Sequence, residues 1–182
     1  MAMLSVVATV TGCSKQSEAV TPAAAAAQRF RPVATVQDIM QSIIDPNIDP
    51  VWDSVATIST TKGTIEKAPK TDAEWKAVRQ HALVVVEASN LLLIEGRQVA
   101  TPGASTSTSA VELSPAEVQK GIALHRADFD KNANALHDAA VQVLQAIDAK
   151  RADQLVDAGG RVDQACESCH AQFWYPNDKR PI

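Results

Sequence analysis

The segment that decides the fold is residues 148–173, DAKRADQLVDAGGRVDQACESCHAQF. Within it Leu155, Gly159, Val162, Cys166, Cys169 and Phe173 recur at spacings of four, three, four, three and four, which is one face of an α-helix. Cys166 and Cys169 stand three apart and His170 four after Cys166, so two thiols and an imidazole share that inward face. Cys166-Glu167-Ser168-Cys169-His170 has the spacing of a covalent c-type haem attachment. Two thiols on one face can add across the two vinyl groups of one porphyrin, and the adjacent imidazole supplies a nitrogen ligand suited to iron. Gly159 on the same stripe leaves room for the haem or for a closely packed helix.

Upstream, three more helical segments follow the same logic. Val36 to Ile44 carries an apolar stripe behind a Thr35/Asp38 capping box, and Asp45-Pro46 is expected to end it, with a second short turn after Asp49-Pro50 burying Trp52 and Val55. Residues 58–70 (ISTTKGTIEKAPK) are β-branched and polar and are expected to be irregular. Thr71 and Glu74 open the next helix, whose stripe is Trp75, Val78, Ala82, Val85 or Val86, Ser89 and Leu93. After a Gly/Ser/Thr-rich loop, Ser114-Pro115-Ala116-Glu117 starts the third, with Val118, Ile122, His125, Phe129, Leu136, Ala140, Val143 and Ile147 facing inward. Long helices with short connections imply an all-α, antiparallel four-helix bundle over residues 33–182.

Composition agrees with that architecture and narrows the function. The 182 residues are 46% hydrophobic, 21% charged and only 4% aromatic, an alanine-rich mixture that favours helices. A net charge of −4 offers no basic surface for nucleic acid. Two haem propionates would add negative charge, which favours a redox partner with a positive docking patch. Other uses of C-x-x-C fit less well: a thioredoxin-like redox pair expects a βαβ context, and a structural zinc site needs a second ligand pair.

The motif near the C-terminus, Phe173 three residues after the histidine, and the four-helix pattern together resemble class II c-type cytochromes, the cytochrome c′ and low-spin cytochrome c-556 group. The resemblance covers residues 33–175. It implies one covalent haem c in the bacterial periplasm, with thioethers at Cys166 and Cys169, His170 as the proximal ligand and the distal face built by the first helix. Low-spin members of that group take a methionine from the first helix as sixth ligand. Met40 lies on the apolar face of that helix and is the methionine that remains if residues 1–12 are removed, so it is the candidate distal ligand. Bis-histidine ligation through His125 is the alternative, while His81 and His137 are expected at the surface or its boundary. One departure stands out: the group carries Arg or Lys four residues after the histidine, and here that position is Trp174.

The N-terminal residues Val10-Thr11-Gly12-Cys13, after a short apolar run, resemble the lipobox of bacterial lipoproteins, although no Lys or Arg precedes the run. That resemblance implies a signal peptide over 1–12, lipidation of Cys13 and a tether over 13–32 holding the domain to a bacterial membrane. The expected protein is therefore a membrane-tethered, monohaem electron carrier, not an enzyme, monomeric or homodimeric, serving redox partner proteins. Two alternatives are an NO- or CO-binding haem protein with an open or displaceable distal site, and a haem-free helical thiol or binding module.

Overall fold

The structure, a computed structural model, describes residues 30–105 and 109–179. The expected signal, lipidation site Cys13 and nearly all of the tether lie outside the described residues. Pro32–Ile182 forms one unit. Its helices are α1 (Val36–Ile39), continued by a π-helical turn (Met40–Ile44) into α2 (Asp45–Trp52), then α3 (Asp72–Leu92), α4 (Pro115–Leu124), α5 (Arg126–Asp148) and α6 (Ala152–Phe173). All three capping boxes form: the Thr35, Thr71 and Ser114 side chains accept from the third residue of their helices, whose carboxylates return the contact.

Polar contacts at both ends show the helices to be antiparallel. Arg79 and Lys150 join the start of α3 to the end of α5 through Asp148 and Asp72, whereas Arg126 at the start of α5 donates to the carbonyl of Leu93 beyond the end of α3. Asn132 near the start of α5 bonds Gln172 near the end of α6. The amides of Val36 and Gln37 donate to the carbonyls of Gln98 and Val99, so α1 begins where the chain leaves α3. A three-residue turn links α5 to α6. Lys150 adopts a positive φ of 53°, and Arg151 N–H and Lys150 N–H return to the carbonyls of Ala146 and Ile147, closing a Schellman motif.

The core contains most of the expected stripes: Ile39 and Ile44, Trp75 to Leu92 on α3, Phe129 to Ile147 on α5, and Leu155, Val162 and Phe173 on α6. Three expectations need correction. Asp45-Pro46 does not end the first helix. The amide of Asp45 bonds the carbonyl of Met40 five residues back, and this wider π-turn carries the chain past Pro46, which lacks an amide hydrogen. The helix therefore runs on to Trp52, buries Val51, and uses the Asn47 side chain to bond the Ile43 carbonyl.

Second, residues 58–67 are not irregular, and only 68–70 lack regular structure. Strands β1 (Ala56–Thr60) and β2 (Gly63–Lys67) form an antiparallel hairpin in which Thr60 pairs with Gly63 and Ile58 with Ile65. The β-branched residues suit the extended backbone, and Gly63 supplies the φ of 124° at the turn. Third, the long helix expected over 115–147 breaks at His125, whose φ of −125° and ψ of 43° are not helical. The break lets Val118 and Ile122 of α4 face the same space as Phe129 of α5.

Gly159 makes room for an indole. A Cβ there would stand 3.1 Å from Cδ1 of Trp52, whose Nε1 donates to the Gly159 carbonyl at 3.1 Å. At Gly160 nothing lies within 4 Å. Gly160→Ala should therefore stabilise the fold by up to ~1 kcal/mol through helix propensity. Gly159→Ala should fall below it by about 1–3 kcal/mol through overpacking against Trp52. Denaturant titration of the two variants checks the difference; equal stabilities would contradict this packing.

Candidate functional site

The end of α6 meets α1, the π-turn and α4 around an apolar cavity of about 290 Å³. Met40 and Val36 line it from the first helix, Val118 and Ile122 from α4, and Cys169, His170 and Phe173 from α6. Cys166, one turn earlier, is half-buried against the core. The structure thus brings Met40, Cys169 and His170 to one cavity, with Cys166 beside it on the same helix. His125 is excluded from this group: at the helix break its side chain is 62% exposed and stands 4.0 Å from Asp128. Bis-histidine ligation through His125 is accordingly overturned. His81 pairs with Asn47, and His137 with Asp138, both away from the cavity.

The π-turn also determines what the first helix presents. Pairing residues five apart stacks Met40 and Asp45 on nearly one face, and both line the cavity together with Gln41. Phe173 packs its ring edge-on against Phe129, with centroids 5.6 Å apart, and forms the buried floor. Beyond the helix, the amides of Trp174 and Tyr175 both bond the carbonyl of His170 at 2.8 and 3.0 Å, folding the chain back over the imidazole. Trp174 stands edge-on to the His170 ring at 5.2 Å. Asp45, Val99, Trp174 and Tyr175 were not singled out as site residues by periodicity. Each belongs to a π-turn, a loop or a helix end, where no repeat marks a face.

Burial governs the ionisation of the motif. It pushes the Cys166 thiol up to about 12, with the charges of Asp163, Asp45, Cys169 and Glu167 adding to the effect, and the Cys169 thiol up to about 11. Burial also lowers His170, opposed by the carboxylates of Glu167 and Asp45, and thus favours a neutral imidazole with a nitrogen lone pair for a metal. Such high values are opposite to the activated thiolate of a thiol–disulfide oxidoreductase. Among the described residues, no three His, Cys, Asp or Glu side chains converge as a site for a bare metal ion. The donor set and its surroundings fit a haem: two thiols and an imidazole on one helix, a thioether opposite in sequence, and an apolar cavity between helices. The indole Nε1 of Trp174, a cavity-lining residue, is buried without a hydrogen-bond partner, a donor that suits an acidic group on a ligand.

A helical bundle with this motif at the end of its last helix belongs to the class of haem c proteins. The family profile described as cytochrome c′ matches residues 56–174, and the chain is a member of that family, which carries a single covalently attached haem c. The match begins after α2 and so does not include Met40. No curated protein and no solved structure matches the chain.

Phe173 is 5% exposed and in ring contact with Phe129, so Phe173→Ala should cost about 3–5 kcal/mol by leaving a void beneath the cavity. Chemical denaturation of the haem-loaded protein checks this, and a loss below ~1 kcal/mol would show that the floor is made by other residues.

Proposed function

We propose that the chain is a periplasmic, monohaem electron carrier in which Cys166 and Cys169 hold the haem, His170 is one axial ligand and Met40 the other. The observation that supports it most directly is that Met40 and His170 line the same apolar cavity, from the first helix and the last. Bound haem supplies a one-electron iron couple, whose potential thioether ligation raises by favouring the reduced state. The chain's own residues do the rest. The half-buried thiols and His170 fix one side, Met40 closes the other, and Val118, Ile122, Phe129 and Phe173 exclude water. An iron held on both sides in an apolar site changes little when its charge changes, which suits electron transfer. The high thiol values count against a haem-free thiol module.

Binding of NO or CO is the second reading. It draws on the position of Met40 at the first residue of a π-turn, a feature frequent at functional sites, and requires the thioether to leave the iron. Tethering to a membrane through Cys13 remains part of the proposal on the strength of the lipobox resemblance; no helix among the described residues is long and apolar enough to cross a membrane.

Two measurements test this assignment. Haem colour should stay with the denatured chain in acidified acetone, and Cys166→Ala with Cys169→Ala should release it; release from the native sequence would refute covalent attachment. The oxidised protein should be low-spin, with a weak long-wavelength thioether-to-iron band that Met40→Ala abolishes. A high-spin spectrum in the native protein would instead favour the gas-binding reading.

A further inference from the structure

Glu167 occupies the first variable position of the C-x-x-C-H motif, three residues before His170 and so on the same face of α6. Its Oε1 stands 3.8 Å from Nδ1 of His170, and its Oε2 accepts a hydrogen bond of 2.7 Å from the hydroxyl of Tyr175. Tyr175 is brought there by the turn after α6, whose amides return to the His170 carbonyl, and its ring lies 6.0 Å from the imidazole. Tyrosine, carboxylate and imidazole thus lie in sequence, ending at Nδ1 of His170 and leaving Nε2 as the other ring nitrogen. Such an arrangement is not required for attaching haem, since neither Glu167 nor Tyr175 belongs to the donor set.

We propose that Glu167, held by Tyr175, is a positioning residue for His170: it keeps the proton on Nδ1, leaves Nε2 for iron, and lowers the reduction potential of the bound haem. The inference rests on the assignment of His170 as an axial ligand. Metal-bound imidazoles generally direct their second nitrogen at a carboxylate or carbonyl, which fixes the ring and makes it a stronger donor. At 3.8 Å the carboxylate acts chiefly through its field. Oxidised iron carries one more positive charge than reduced iron, so a nearby negative charge stabilises the oxidised state. The Tyr175 hydrogen bond restrains a side chain that is otherwise 39% exposed and free to turn into solvent. Asp45, the other carboxylate whose charge reaches His170, lines the cavity from the first helix.

The test uses the haem-loaded protein and reads midpoint potential together with covalent haem content. Glu167→Gln should raise the potential, and Tyr175→Phe, which keeps the carboxylate but frees it, should raise it by less. In the Met40→Ala background, adding Glu167→Gln should also lower the iron–histidine stretching frequency of the reduced protein, because the imidazole becomes a weaker donor. If Glu167→Gln matures poorly, Tyr175→Phe still decides the matter. An unchanged or lowered potential with haem firmly attached would overturn the role of Glu167 while leaving His170 as the ligand. Colour lost from the native chain on denaturation would instead overturn the site assignment itself.

Discussion

The structure depends on one apolar cavity among its helices. Four helices could close on one another with aliphatic side chains alone, and α3 and α5 supply Val85, Val86, Leu136 and Val143 to such a core. At the end of α6 they do not: Met40, Val118, Ile122 and Phe173 surround a space of about 290 Å³. The space is a concave, mostly apolar cleft, the usual form of a cofactor site. Three features of the chain shape it. The helix break at His125 turns α4 toward the space, the π-turn adds Asp45 to the face of Met40, and the final turn folds Trp174 and Tyr175 over His170.

Much of this was legible in the sequence because helices report their buried face at a fixed period. The stripe from Leu155 to Phe173 put Cys166, Cys169 and His170 on one side, and the three capping boxes marked helix starts within a residue of where they lie. The pattern failed where another force replaced burial. Asp45-Pro46 looks like a stop, but a π-turn shifts the hydrogen-bond register and the helix passes through. The hairpin at 56–67 buries neither face, so Ile58 and Ile65 show no inward–outward alternation to mark strands. His125 fits the period of the third helix, yet the chain leaves helical geometry there and the side chain turns to solvent.

Glycine placement shows the same division between what sequence can and cannot state. Gly159 and Gly160 are adjacent, and only contacts separate them: one meets the indole of Trp52, the other open space. Sequence gave reason to suspect close packing at Gly159 but not its partner, because Trp52 lies on a helix whose continuation past Pro46 and Pro50 no propensity would favour. The departure at Trp174 has a comparable explanation. An aromatic residue replaces a basic one, covers His170 edge-on, and leaves a buried indole N–H beside the cavity in place of a charge.

The central claim, that Met40 and His170 hold one iron from opposite ends of the sequence, is tested most directly by X-ray absorption fine structure at the iron of the oxidised protein. One sulfur among otherwise nitrogen neighbours is expected in the first shell, lost in Met40→Ala. A first shell without sulfur in the native protein would contradict it.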